Sequence, residues 1–262
     1  MKISIIGAGN MGGAIARGLT LGTKISAKNI SISDLNQDAL NAVKLFNTNI
    51  SICNSNSEIV KNADIIVLAV KPWLIESIAN DIKNHIDYTK QCIVSVAAGV
   101  DFEQLKTFFS DKACLFRIIP NTAIEVRESL SIVSSCNASK EQENIIIDIF
   151  NELGKTVLVP ESSINAYMSL SSCGIAYAFR YIRAAMEGAV ELGIYPKSAQ
   201  EVILQTLRGA VELLEKQNSH PEMEIDKVTT PGGITIKGLN AMEANGFTKA
   251  VIEGLRASCL KK

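Results

Sequence analysis

Ile3-Ser4-Ile5-Ile6-Gly7-Ala8-Gly9-Asn10-Met11-Gly12 decides the fold of this chain. Ile3 to Ile6 reads as a buried strand, and Met11 to Leu19 reads as a helix, so a G-x-G-x-x-G sequence falls between a strand and a helix. In that setting each glycine has a physical task. Gly7 permits the tight turn, Gly9 lets backbone approach a pyrophosphate, and Gly12 allows the helix to pack closely on the strand. The free N–H groups at the helix start, around Asn10 and Met11, and the helix dipole then favour phosphate. The alternative is a glycine turn of purely structural use. Asp34 closes the next strand candidate, Ile30 to Ser33, where an acid is expected to meet an adenine ribose.

Outward from this stretch, short β-rich runs alternate with helical patterns as far as residue 158. The remaining strand candidates are Ile50–Cys53, Ile65–Val70, Cys92–Val96, Leu115–Ile119, Leu130–Ser134 and Thr156–Val159. Such alternation predicts an α/β architecture, a Rossmann-type doubly wound parallel sheet with crossover helices. Ile65–Val70 and Cys92–Val96 are almost continuously apolar, which places them at the sheet centre. Ser139-Lys140-Glu141-Gln142 fits a capping box for a helix expected to stop at Gly154. Ligands bind beyond the carboxyl ends of parallel strands. Ala69-Val70-Lys71-Pro72 and Val96-Ala97-Ala98-Gly99 therefore join the expected cofactor crevice, their small residues leaving room for nicotinamide. Asn56 and Asn121 occupy similar loop positions, where a cap or turn role competes with a ligand contact. Lys71, fixed out of helix by Pro72, reads either as a ribose neighbour or as a solvated charge.

Val159-Pro160-Glu161 is the expected hinge, giving a dinucleotide-binding domain over 1–158 and an all-helical dimerisation and substrate-binding domain over 159–262. From Ser163 to Leu192 the apolar positions Ile164, Tyr167, Met168, Ser171, Ile175, Phe179, Ile182 and Met186 recur at threes and fours, the mark of one long helix. At 1.5 Å per residue it would run about 45 Å, longer than one small domain covers. Ala176, Ala178, Ala184, Ala185 and Gly188 would let another helix approach closely, so a second copy of the chain is the expected cover. Further helices are expected from Pro196 to Asn218, from about Thr235 to Asn245, and from Thr248 toward the end.

Composition narrows the partners. The 262 residues are 47% hydrophobic and 20% charged with a formal net charge of −1. That suits a globular protein with a small-molecule ligand and gives no overall attraction to nucleic acid or an anionic membrane. The cysteines are scattered without a Cys-x-x-Cys pair, and only His85 and His220 stand beside them as imidazoles. This argues against a zinc site or a disulfide framework. Neither a secretory signal nor a membrane span is visible, so a cytoplasmic location is expected.

The most specific segment is Val228-Thr229-Thr230-Pro231-Gly232-Gly233-Ile234-Thr235-Ile236-Lys237-Gly238-Leu239-Asn240-Ala241-Met242-Glu243. It is a proline-glycine loop leading into a helix start, whose N–H groups at Gly232, Gly233 and Ile234 and nearby hydroxyls suit a bound carboxylate. On loop chemistry alone an ordinary helix-helix turn is the stronger reading. Position for position, however, the segment resembles the C-terminal pattern of pyrroline-5-carboxylate reductases. The resemblance extends through Gly7 to Gly12, Ala69-Val70-Lys71-Pro72, Ala97-Ala98-Gly99-Val100, Pro120-Asn121-Thr122 and His220-Pro221. It implies a Rossmann domain, a helical domain interlocked with a second subunit, often within larger rings, and NADPH or NADH as cofactor. It also implies that backbone groups at Ile234 and Thr235, with the Thr235 hydroxyl, hold the substrate, so Thr235 is the candidate catalytic residue.

Two departures stand out. Where the family usually has Ser-Gly-Ser-Gly-Pro-Ala-Tyr, this chain has Ser171-Ser172-Cys173-Gly174-Ile175-Ala176-Tyr177, and the missing proline predicts a straighter helix. Glu224 occupies a place usually apolar. Two other functions fit a similar plan, a 3-hydroxyacid dehydrogenase and a dinucleotide-binding protein without catalysis. The dehydrogenase is expected to carry a lysine in its long helix to handle the alcohol proton, yet Ser162 to Pro196 contains neither lysine nor histidine. Asp34 complicates the family habit of using NADPH, because it suits ribose hydroxyls and faces a 2′-phosphate with like charge. Either a preference for NADH or similar use of both is expected, unless Lys24 or Lys28 reaches the phosphate.

Overall fold

The computed structural model describes residues 1–259, which form two compact units, Met1–Ser172 and a second unit beginning at Cys173. The last three residues of the expected helical half, 260–262, lie outside the described residues.

The first unit runs β1 (Ile3–Ile6), α1 (Asn10–Thr20), β2 (Ile30–Ser33), α2 (Gln37–Phe46), β3 (Ser51–Cys53), α3 (Asn56–Val60), β4 (Ile65–Leu68), α4 (Ile75–Ile82), β5 (Cys92–Ser95), α5 (Phe102–Phe108), β6 (Cys114–Ile119), β7 (Ser129–Cys136), α6 (Lys140–Asn151), β8 (Gly154–Leu158) and α7 (Ile164–Met168). Among the described residues the strands make one sheet in the order β3-β2-β1-β4-β5-β6-β7-β8. The first six positions follow the Rossmann order, with the reversal between β1 and β4. The two most apolar strand candidates became β4 and β5 and sit at the centre, each buried along its whole length.

Helices cover both faces. Ile15 and Leu19 of α1, Leu40 and Val43 of α2, and Ile146, Ile149 and Phe150 of α6 pack on one face. Val60 of α3, Ile75 and Ile82 of α4, and Phe102 and Leu105 of α5 pack on the other. Ile164 and Met168 of α7 close a third cluster over Ile119, Ile132 and Val159. A partly buried ion pair joins this region, because Glu161 Oε1 accepts from Arg117 Nη1 at 2.7 Å and from the Phe102 N–H at 2.8 Å. The expected hinge at Val159-Pro160-Glu161 follows β8 directly, and residues 161–172 pack with the sheet.

Three expectations are corrected. The sheet is not wholly parallel, since β7 runs antiparallel to β6. A parallel return needs a crossover of a dozen or more residues, and Pro120 to Glu128 holds only the 3₁₀ turn Thr122–Val126. The helix begun by the Ser139 capping box ends at Asn151, and Gly154 instead starts β8. At φ +137°, with an added Cβ falling on the Ser129 carbonyl at 2.1 Å, Gly154 is required by strand pairing. The predicted Ser163–Leu192 helix is interrupted by a π-type turn at Ser169–Cys173, despite the missing proline. Ser169 Oγ donates to the Ala166 carbonyl at 2.8 Å and Ser171 Oγ to the Leu130 carbonyl at 3.1 Å, so hydroxyls at this turn engage backbone acceptors.

The second unit contains α8 (Gly174–Glu191), α9 (Pro196–Gln217), α10 (Pro221–Val228), α11 (Ile234–Ala244) and α12 (Phe247–Ser258). Helix α10 escaped the sequence reading, although Pro221 at its first position, Glu222 in its first turn and a His220 cap are ordinary start signals. Inside this unit Tyr181 meets the Phe247 ring edge-on at 6.4 Å, and the Tyr177 hydroxyl donates to the Gly254 carbonyl at 3.2 Å. Ala199 is its one buried hydrophobic residue among those described.

Candidate functional site

The glycine turn is fixed by sterics that differ at each glycine. A Cβ on Gly7, at φ +103°, would lie 2.5 Å from the Ala69 carbonyl oxygen, and one on Gly12 would lie 1.9 Å from the Gly7 carbonyl oxygen. Gly7 and Gly12 are thus demanded by the fold itself. Around Gly9 nothing lies within 4 Å of an added Cβ. Its missing side chain serves no internal contact and leaves an open approach to backbone. Gly9 is also the N-cap of α1, with no side chain capping the helix and no acid in its first turn. The uncapped N–H groups and the positive end of the dipole form an anion cradle, with Asn10 exposed and Met11 half-buried at its lip.

Backbone bonds bring the neighbouring strand ends to this turn. The Gly7 N–H donates to the Ser33 carbonyl at 2.7 Å, and the Ala69 N–H donates to the Ile6 carbonyl at 2.8 Å. Asp34 Oδ2 accepts the Ala8 N–H at 2.6 Å and its Oδ1 accepts the Asn36 N–H at 2.8 Å. Gly7 to Gly12, Asp34, Ala69 and Val70 therefore lie together beyond the carboxyl ends of β1, β2 and β4, at the β1–β4 switch point. Lys71 is exposed beside it and Pro72 opens the 3₁₀ turn Pro72–Leu74. On β5's side Ala97 is buried in the core below, whereas Ala98 is exposed.

Asn56 and Asn121 have internal partners. Ser33 Oγ donates to Asn56 Oδ1 at 2.7 Å and Asn56 Nδ2 donates to Asp81 Oδ2 at 3.0 Å. Asn121 Oδ1 accepts the Ala123 N–H at 3.0 Å, a turn-capping bond. The Ser33-Asn56-Asp81 chain was not read from sequence; its one signal is the serine that ends β2 beside Asp34, and the structure buries it fully.

The second unit carries the proline-glycine loop. Thr230 to Gly233 is a β-turn closed by the Gly233 N–H on the Thr230 carbonyl at 3.0 Å, with Gly232 at φ +73°, as a type II turn requires. Gly233 is the N-cap of α11, which has neither a side-chain cap nor an acid in its first turn. Ile234, 86% exposed, and the exposed Thr235 follow directly, so this helix start too presents N–H groups and a hydroxyl outward. Glu224 stands behind the loop on α10. Its Oε1 accepts from Lys227 Nζ at 2.7 Å, which holds the carboxyl below its ordinary range, and Lys227 also donates to Gln217 Oε1 at 2.9 Å. The unusual acid thus ties α10 to the end of α9.

Among the described residues no group of three or more His, Cys, Asp or Glu is arranged to hold a metal ion, and no helix is long and apolar enough to cross a membrane.

Residues 161–262 match the family described as pyrroline-5-carboxylate reductase dimerisation, and residues 2–99 match that of NADP oxidoreductase, coenzyme F420-dependent. The chain is 32% identical to pyrroline-5-carboxylate reductase 1 of Dictyostelium discoideum over 98% of its own length, and spans about half, 48%, of that relative. A pyrroline carboxylate reductase of Plasmodium falciparum, solved with NADP bound, superposes with a TM-score of 0.89 at 28% identity, covering 99% of this chain and 95% of that one. The pyrroline-5-carboxylate reductase of Methanosarcina acetivorans is 34% identical over 98% of this chain and 95% of its own. Likeness sustained from the glycine turn through the proline-glycine loop is agreement in a whole protein plan, and the chain belongs to the pyrroline-5-carboxylate reductase family.

Proposed function

We propose that the chain reduces the cyclic imine 1-pyrroline-5-carboxylate to L-proline with hydride from NADH or NADPH. The observation that carries this reading is the full-length relation to reductases of that name, which embraces both anion-ready helix starts. Gly7, Gly9, Asn10, Met11 and Gly12 would hold the pyrophosphate, and Asp34 the adenine ribose. Asn56, Ala69, Val70, Lys71, Pro72, Ala97 and Ala98 would complete the cofactor site. The dinucleotide, when bound, supplies the hydride.

The chain's own residues then have mainly to bind and orient. A protonated imine carbon accepts hydride without a strong protein acid, and positioning alone is worth several kcal/mol of a barrier. Gly232, Gly233, Ile234 and Thr235 would hold the substrate, the helix-start N–H groups on its carboxylate and the Thr235 hydroxyl on the carboxylate or ring nitrogen. The absence of lysine and histidine between Ser162 and Pro196 suits a reaction that needs no acid there.

The chain forms homo-oligomers, in keeping with its dimerisation-family half. We place the basic contact in a homodimer through residues 159–262, with 1–158 as the dinucleotide domain, and a ring of dimers as the larger assembly. Six cysteines, all thiols, suit a reducing cytoplasmic setting. Purified protein should oxidise NADH or NADPH only when pyrroline-5-carboxylate is added and release proline. Turnover of a 3-hydroxyacid instead, or cofactor binding with no turnover, would refute the assignment.

A further inference from the structure

Resting on the dinucleotide reading above, we infer that this chain selects NADH over NADPH, because Asp34 is a fixed anion at the end of β2 and, among the described residues, no cation is placed to meet a 2′-phosphate there. Both carboxylate oxygens are fastened, Oδ2 to the Ala8 N–H of the glycine turn at 2.6 Å and Oδ1 to the Asn36 N–H at 2.8 Å. Swinging this carboxylate aside for a bulkier ligand would break both bonds. Each oxygen still has a second acceptor direction, so the pair can receive the two hydroxyl protons of an unphosphorylated ribose. A 2′-phosphate removes one of those donors and brings close to two negative charges against the same group.

The surroundings do not compensate. Helix α2 starts beside Asp34, but the Asn36 side chain already accepts from the N–H groups of Asp38 and Ala39, and Asp38 adds negative charge to the first turn. The hydroxyl of Ser33 is turned inward to Asn56, whose amide nitrogen donates one hydrogen bond to Asp81. The cations that sequence alone left open are accounted for. Lys24 Nζ sits on Asp148 at 2.8 Å, and Lys28 lies in the 3₁₀ turn Ala27–Asn29 that enters β2, at the opposite end of that strand from Asp34. Lys44 Nζ donates to the Thr48 and Ile50 carbonyls, and Arg17 pairs with Glu125 at 2.6 Å. Lys71 follows β4, two strands across from β2 and so on the order of 10 Å away.

The test is calorimetric titration of the full-length protein with NADH and with NADPH, without substrate, followed by turnover with pyrroline-5-carboxylate. NADH should bind at least tenfold more tightly. Asp34→Ser should move the ratio of dissociation constants toward NADPH by about tenfold, and Asp34→Asn should move it the same way where serine loosens the glycine turn. Wild-type protein that binds NADPH as well as NADH, or a ratio unmoved in both folded variants, overturns the inference. Loss of such NADPH binding in Lys71→Met would also overturn it, showing the phosphate met from β4. Failure to bind either nucleotide removes this inference together with the dinucleotide reading. Preferential NADH binding without imine reduction upholds the selectivity and defeats only the proposed reaction.

Discussion

Helices α6 and α8 both carry an apolar stripe, yet Ile146 and Ile149 on α6 are 1% exposed while Phe179 on α8 is 59% exposed. The same contrast separates the two units. The sheet unit buries both faces against its own helices, and the helical unit leaves Phe179, Val202, Val211 and Leu213 open. Apolar area removed from water stabilises by roughly 25 cal/mol per Å², so an uncovered stripe contributes little until another surface closes over it. The first unit holds its core within one chain. The second exposes apolar side chains that the proposed homodimer would cover.

The largest expected effect breaks this contrast directly. On a solitary helix, exchanging the exposed Phe179 and Val202 for glutamate would change stability by only about 0.5 kcal/mol each. In a homo-oligomer that buries them, Phe179→Glu with Val202→Glu should abolish assembly, read by sedimentation velocity, and take activity with it. A double variant that keeps the wild-type mass in solution would show that these faces are not the shared core. A smaller but still large effect belongs to the sheet unit. Glu161→Ala leaves the Arg117 side chain, 6% exposed, without its anionic partner, and should cost about 3 kcal/mol in denaturant unfolding. Arg117→Met added to Glu161→Ala should recover part of the loss, because no buried charge then remains unpaired.

Next in size is Thr235→Ala in the helical unit. Loss of one hydrogen bond to a charged ligand predicts a drop of about tenfold to a hundredfold in kcat/KM, roughly 1.5 to 3 kcal/mol, with melting temperature unchanged since Thr235 is exposed. Unaltered kinetics would remove Thr235 from the substrate loop's task. The smallest effect is expected from Ser139→Ala. Its hydroxyl accepts the Gln142 N–H at 3.2 Å within a complete capping box, so the sheet unit should lose about 1 kcal/mol by urea titration. No change there would mean that the packing of Ile146, Ile149 and Phe150 alone holds α6.

Local chemistry made much of the molecule legible. The glycine spacing, the two continuously apolar strands, the Ser139 cap and the Pro231-Gly232-Gly233 turn each follow from neighbours in sequence, and each stands where it was expected. What escaped depends on distant partners. The antiparallel β7 follows from the short span between Ile119 and Ser129, Gly154 from the Ser129 carbonyl beneath it, and the π-type turn holds Ser171, bonded to Leu130. The sequence by itself determined the αβ alternation, the helical second half and a charged group at the end of β2, because periodicity and turn chemistry act over a few residues. Only the tertiary structure decided that Asp34 is bonded at both oxygens, that Lys24 is held by Asp148, and that Phe179 on the stripe of α8 is exposed among the described residues. Those outcomes depend on which residues far apart in sequence meet, and that is set by packing.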